Sequence, residues 1–443
     1  MDLTLTEIGN ALNAKIQGGN PEVTGVAFDS RQVQAGDLFV ALVAENDGHA
    51  YLQAALDKGA AAVMVDDQHA IPADMPAVIV PNTLQGMQDL GKYWLDKVAP
   101  ITVAITGSNG KTTTKDMVAA IASQAFKTYK TPENFNNEIG VPLTLLAMPA
   151  DTEVLVVEMG MDRPGQLTAL SELVQPDMAV ITMIGEAHIE FFKTREKIAQ
   201  AKLEITKGLR EDGVLIIPDD EPLLTEAQVN QRVLGFGEGV KDIKAEGSQT
   251  DFVYDGVSFA IPLLGRYNVM NALAAITVGR LLRVKTSQMV AALAHFDLTK
   301  NRTEQLMTPS GVHLISDVYN ANPTATKAVL ATMADFPAGQ RYALLGDMLE
   351  LGEQGPALHA SLATAIADAQ LSGLYLVGPL MTDYLAPLIA EELPDLPLHT
   401  YQADQLTAIA KDLQADLKAG DWLLLKASHG LHLEEVVKAL MSN

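Results

Sequence analysis

The 443-residue chain has no cysteine, which excludes disulfide staples, thiolate metal sites and a cysteine nucleophile. No apolar run approaches the roughly 18 residues that span a bilayer. The opening Met1-Asp2-Leu3-Thr4 lacks the basic and apolar stretches of a signal peptide, so the expectation is a soluble cytoplasmic protein. Positive charge is scarce: 31 Lys+Arg face 55 Asp+Glu, a net −24. Such a balance argues against a nucleic-acid partner, which calls for a basic surface, and leaves room for a local phosphate pocket. Apolar residues are plentiful, at 48%, enough for packed interiors. A chain of this length divides into two or three domains.

Short apolar runs recur, each followed by a polar or Gly-rich turn and a helical pattern. They include Ile101–Ile105, Val154–Val157, Met178–Ile184, Val214–Ile217, His313–Ile315, Tyr342–Leu345, Leu374–Val377 and Trp422–Leu425. Continuous apolar strands alternating with helices predict parallel sheets covered on both faces. Residues 1–82 differ, with short alternating pieces at Val23–Phe28 and Asp37–Leu42 and one helix at Ala50–Gly59. The expected layout is α/β in three domains. A small mixed domain (1–82) precedes a central P-loop ATPase domain with a mainly parallel sheet (83–306) and a Rossmann-like C-terminal domain (307–443). Thr308-Pro309-Ser310-Gly311 marks the second boundary.

Strand Ile101–Ile105 runs into Thr106-Gly107-Ser108-Asn109-Gly110-Lys111-Thr112-Thr113-Thr114, and a helix follows. Gly107 and Gly110 let backbone N–H groups of the Asn109 turn converge on phosphate. The helix start adds positive potential, Lys111 a mobile cation, and Thr112 and Thr113 hydroxyls, Thr112 suited to Mg²⁺. A Gly-rich turn alone is weak evidence; strand, turn, Gly-Lys-Thr-Thr and helix in order are strong. The glycine spacing is shorter than in the general Walker pattern, with Ile105 where that pattern has glycine.

This shortened loop resembles the Mur ligase and folylpolyglutamate synthetase superfamily. Asn134-Phe135-Asn136-Asn137-Glu138-Ile139-Gly140-Val141-Pro142 and Glu158-Met159-Gly160-Met161 resemble further family segments. Asp317-Val318-Tyr319-Asn320-Ala321-Asn322-Pro323 and Gly346-Asp347-Met348-Leu349-Glu350-Leu351-Gly352 resemble the Mur branch. The matches run from residue 29 to residue 434. The resemblance implies an ATP-dependent amide-bond ligase that adds D-alanyl-D-alanine to UDP-N-acetylmuramoyl-tripeptide through an acyl phosphate, in peptidoglycan precursor synthesis. ATP and two Mg²⁺ are the implied cofactors, and a monomer without membrane insertion is expected.

Glu158 ends one apolar strand, and His188 follows the next in Gly185-Glu186-Ala187-His188. Ligands collect outside the carboxyl ends of such strands, and a carboxylate with an imidazole suits a divalent metal beside phosphate. Taken alone, His188 reads as a satisfied structural histidine. Lys202 shares a helical stripe with Ile198, Ile205 and Leu209, so it faces inward while Lys197 and Lys207 do not. A buried lysine needs a partner or a changed charge state; the plainer reading is a packed stem with its head in solvent. By resemblance, Lys202 is carbamylated and faces a second Mg²⁺, with Lys111, Glu158 and His188 as the other catalytic groups.

The resemblance also places Asn268 and Asn271, in Gly265-Arg266-Tyr267-Asn268-Val269-Met270-Asn271, near adenine and Arg302 at an ATP phosphate. Read from the residues, Asn268 is a helix N-cap and Arg302 a solvated loop charge. Ser30 and Arg31, in Phe28-Asp29-Ser30-Arg31, are implied contacts of the uridine diphosphate, with Asn137 on the same substrate. Asp317, Tyr319, Asn320 and Asn322 would hold the incoming dipeptide. Lys426-Ala427-Ser428-His429-Gly430 has His429 where the family carries arginine. Two rivals are folylpolyglutamate synthesis, opposed by the Asp317–Pro323 and Gly346–Gly352 segments, and a nucleotide-binding regulator without chemistry, opposed by Glu158, His188 and Lys202.

Overall fold

The computed structural model describes residues 1–442 apart from 67, 68, 70, 247, 300–303, 335, 337 and 338. Its N-terminal sheet runs, edge to edge, Lys15–Gln17, Ala77–Val80, Ala62–Asp66, Asp37–Val40 and Gly25–Ala27. Only the Lys15–Gln17 edge is antiparallel. Side chains alternate across a strand, and here both faces are packed. Phe39, Val63 and Val65 enter one core, while Leu38, Val40 and Met64 enter another that continues into the central domain. That is why these strands read as unbroken apolar runs. Helix Thr83–Val98 sits at the junction, and Trp94 Nε1 donates to Met148 O at 2.9 Å. The helix expected at Ala50–Gly59 is a 3₁₀ turn, Gly48–Tyr51, followed by Leu52–Asp57.

The central sheet is parallel throughout, in the order Arg232–Phe236, Val214–Pro218, Met178–Ile181, Ile101–Thr106, Val154–Glu158 and Thr128–Lys130. Helices Lys111–Ala122 and Arg266–Leu281 cover one face together with Val103 and Ile105. The strand expected to reach Ile184 stops at Ile181. Thr182 turns its hydroxyl onto the carbonyls of Thr106 and Asn109, which ends the ladder over the loop that follows Thr106. A small antiparallel sheet, Lys241–Glu246, Gln249–Tyr254 and Val257–Ile261, was not anticipated.

The C-terminal sheet runs Glu304–Met307, His313–Asp317, Trp422–Lys426, Arg341–Gly346, Gly373–Val377 and Leu398–Tyr401. Five strands are parallel and the Glu304–Met307 edge is antiparallel. That edge strand begins ahead of residue 307, where the sequence reading sets its boundary. Among the described residues no helix is long and apolar enough to cross a membrane.

Candidate active site

Strand Ile101–Thr106 lies between its neighbours Met178–Ile181 and Val154–Glu158, so its carboxyl end opens into the middle of the sheet edge. The chain turns there through residues 107–110 into helix Lys111–Ala122. Gly110 is left-handed, φ 79°, a conformation that disfavours side chains. A Cβ on Gly110 would also fall 2.4 Å from Asn271 Oδ1. Ser108 ties the loop down, donating to Gly185 O at 3.2 Å and accepting from Gly185 N at 2.9 Å. Lys111 Nζ folds back onto Gly107 O at 3.0 Å, over the loop whose amides would meet phosphate.

Glu158 is wholly buried. Its Oε1 accepts from Asn136 Nδ2 at 2.8 Å, and its Oε2 stands 3.7 Å from Lys115 Nζ. That Oε2 has no hydrogen-bond partner among the described residues, an opening for a hard cation beside the phosphate loop. Lys115 also donates to Glu133 O, and neighbouring Asp116 takes Lys130 at 2.6 Å. The result is a network of buried Lys115, Asp116 and Glu158 with half-exposed Lys130 at its rim, which sequence reading missed, although Lys115 stands one helical turn after Lys111.

His188 adopts a left-handed conformation, φ 62°, at the start of the short helix Ile189–Phe192. Its Nδ1 lies 2.5 Å from Glu350 Oε2, a contact from the central to the C-terminal domain. That contact holds the Glu350 carboxyl below the usual range.

Lys202 lies on helix Arg195–Leu203 and is only 2% exposed. Ile198, Ile205 and Leu209 are buried with it, while Lys197 and Lys207 are exposed. Burial first, and then the positive charge of Lys111, pushes its amine well below the ordinary lysine range. The amine is deeply buried, and among the described residues it forms no ion pair.

A cavity of about 750 Å³ opens beside Lys111 and His188. Ser108–Thr112, Asn136, Asn137, Glu138 and His188 line one side, and Tyr319, Asn320, Glu350 and Ser428–Gly430 of the C-terminal domain line the other. His429 stacks on Tyr319 with ring centroids 5.7 Å apart. A narrower recess of about 90 Å³ adjoins it, bounded by Asn109, Gly110, Thr112, Thr113, Tyr267, Asn268, Asn271, Asp317, Asn320 and Lys426, among others.

The remaining expected residues separate. Asn268 and Asn271 are joined side chain to side chain at 3.2 Å at the recess. Asn268 is not the N-cap; Gly265 is, and Asn268 Nδ2 donates back to Leu264 O at 2.8 Å. Asn137 faces the large cavity while its Oδ1 accepts from Gly140 N. Asp317 faces the recess and is held by Lys426 at 2.7 Å. Asn322 lines neither cavity; its side chain is bonded to Asn109 and to Ala325 N. Ser30 and Arg31 also lie outside both cavities, Arg31 exposed and paired with Asp29 at 2.9 Å. Arg302 lies outside the described residues.

Three family models match the chain: the Mur ligase family catalytic domain over residues 22–91, the Mur ligase middle domain over 105–279, and the Mur ligase glutamate ligase domain over 301–429. The chain is 39% identical to the UDP-N-acetylmuramoyl-tripeptide--D-alanyl-D-alanine ligase of Bacillus subtilis, covering 95% of this chain and 94% of that one. Among solved structures it is similar to MurF from Acinetobacter baumannii, with TM-score 0.87, 27% identity and coverage of 100% and 99%. It is also similar to MurF ligase from Thermotoga maritima in complex with ADP, with TM-score 0.83, 29% identity and coverage of 95% and 97%.

Proposed function

The chain belongs to the Mur ligase family, and we propose that it joins D-alanyl-D-alanine to UDP-N-acetylmuramoyl-tripeptide with hydrolysis of ATP to ADP and phosphate. One observation carries this reading beyond likeness. Lys111 on its phosphate loop and His188 line a cavity that the C-terminal domain helps to wall, Glu158 ends the strand beside that loop with an oxygen that lacks a hydrogen bond, and the buried Lys202 senses the charge of Lys111.

In the proposed mechanism the terminal carboxylate of the UDP-linked peptide attacks the γ-phosphorus of ATP, giving an acyl phosphate and ADP. The dipeptide amine then attacks the acyl carbon, loses a proton and expels phosphate. Lys111 and the loop amides hold the terminal phosphates and offset the repulsion between two anions. Asn268 and Asn271 sit toward the base. Thr112, Glu158 and His188 would hold Mg²⁺, which neutralises phosphate charge when bound. Lys202, whose amine burial pushes well below the ordinary lysine range, would be a nucleophile for CO₂, and the resulting carbamate would give a second Mg²⁺ an anionic ligand. Tyr319 and Asn320 border the large cavity where the dipeptide would enter, with His429 beside them in place of the family's arginine. Enclosure protects an acyl phosphate from water, and holding three substrates in one orientation lowers the entropic barrier.

Residues 1–82 would take the UDP end through Ser30 and Arg31, residues 83–306 ATP, and residues 307–443 the dipeptide. The enzyme would work as a cytoplasmic monomer, and Arg302 would reach an ATP phosphate. The test is phosphate release with ATP, Mg²⁺, UDP-tripeptide and D-alanyl-D-alanine, each omitted in turn, with mass analysis of the product. The expected outcome is release that needs all of them and a product heavier by one dipeptide residue unit. Steady ATP hydrolysis indifferent to the dipeptide, with no ligated product, refutes the assignment.

A further inference from the structure

Asn109 and Asn322 are 213 positions apart and meet as a reciprocal amide pair. Asn109 Nδ2 donates to Asn322 Oδ1 at 3.2 Å, and Asn322 Nδ2 donates to Asn109 Oδ1 at 2.9 Å. Asn109 lies in the phosphate loop. Asn322, 1% exposed, caps helix Pro323–Met333 of the C-terminal domain by accepting from Ala325 N. Two residues on, Thr324 is gripped from the central domain by Glu186, which accepts from its backbone N–H at 3.0 Å and its hydroxyl at 2.9 Å. Four hydrogen bonds therefore fasten the first turn of one C-terminal helix to the phosphate loop and to the segment after strand Met178–Ile181.

We propose that Asn109–Asn322 and Glu186–Thr324 form a latch that couples the state of the phosphate loop to the docking of the C-terminal domain. Asn322 then acts as a positioning residue and does not itself contact the dipeptide. Its amide is occupied on both sides, and its side chain faces neither cavity. The carbonyl of Asn109 is meanwhile held by Thr182, so the loop residue that meets the latch is itself anchored to the sheet. A nucleotide that orders residues 107–110 presents Asn109 to Asn322, and docking in turn orders the loop, because coupling of two binding events is reciprocal. The kinetic consequences rest on the ligase reading; docking itself does not.

A double-mutant cycle tests the latch. Asn322→Asp keeps the cap acceptor for Ala325 and removes the donor to Asn109; Asn109→Ala removes the other half; the third variant carries both. Docking is read as the distance between spectroscopic labels on the central and C-terminal domains as a non-hydrolysable ATP analogue is added. Ligase kinetics are read separately. The expected result is that each single change weakens analogue-induced docking about tenfold, the scale of one or two partly buried hydrogen bonds. The KM for the dipeptide rises more than kcat falls, and the double variant is no worse than the poorer single one. Thr324→Val, which keeps the helix and removes only a hydroxyl bond, weakens docking severalfold, and Thr324→Ser restores it. Additive effects in the cycle, or parental docking in Asn322→Asp and Thr324→Val, overturn the proposal. Normal docking without ligase activity in the parent protein would instead count against the ligase assignment.

Discussion

Replacing Lys202 by methionine should stabilise the protein and cripple it together. The lysine is 2% exposed, forms no ion pair among the described residues and lies in the field of Lys111. Taking a polar head group out of water with incomplete compensation costs about 1–3 kcal/mol in mutational data, and methionine fills a similar volume with flexible apolar atoms. In CO₂-free buffer at neutral pH, Lys202→Met should therefore gain about 1–3 kcal/mol. A domain of this size shifts by roughly 2–4 °C per kcal/mol, so calorimetry should show a Tm rise of about 2–12 °C. The pH dependence has a definite sign. The folded amine has a lower pKa than the unfolded one, so the unfolded chain binds more protons between the two values. Parental stability rises with pH across that window, and the gap to the methionine variant narrows toward pH ~10.4. Dissolved CO₂ should also narrow it, since the proposed carbamate would form more readily on the folded lysine, whose amine has the lower pKa. Activity should move the other way: losing one charge-stabilising group costs about 10²–10³ in kcat, with partial rescue of Lys202→Ala by short carboxylic acids. A methionine variant that is less stable than the parent and keeps its kcat would refute the reasoning on both counts.

Other expectations follow from the same geometry. Lys115→Met leaves the buried Glu158 and Asp116 with one cation fewer and should cost about 3–5 kcal/mol, measured by calorimetry; an unchanged Tm would mean the network is held otherwise. Lys111→Ala should lower phosphate release by about 10²–10³-fold with UDP-substrate binding intact, a split that titration calorimetry resolves. His69 is hydrogen-bonded to Asp66 at 2.7 Å and lies 3.2 Å from Asp47, which raises its pKa. Its NMR titration should show a midpoint above 6.5. Its contribution to local stability should be full below pH ~6.5 and fade as pH rises through that midpoint; Asp66→Asn should bring the midpoint down.

Much of the fold was legible because buried parallel strands announce themselves. Runs such as Val154–Val157 are apolar at every position, since both sheet faces are covered. The antiparallel sheet at Lys241–Ile261 was not legible, because half-exposed strands carry a weaker alternating pattern. At the site, Lys202 could be found because a charge on an apolar stripe breaks a local rule. Lys115 could not, because its partner Glu158 is 43 positions away on another element and nothing local distinguishes it from a surface lysine. The Asn109–Asn322 pairing is likewise a product of tertiary placement. Asn322 looked like a ligand residue, and its helix-capping role was the part written locally.

The close fit between Gly110 and Asn271 fixes a ruler inside the molecule. Helix Arg266–Leu281 packs along helix Lys111–Ala122, and at their near ends no room remains for even a methyl group. The proposed seats for a purine ring and for its phosphates are thus machined into one block, their spacing set during folding. Beyond the ordering of the loop itself, adjustment to a nucleotide falls to the C-terminal side, where Asp317 and Lys426 face the same recess.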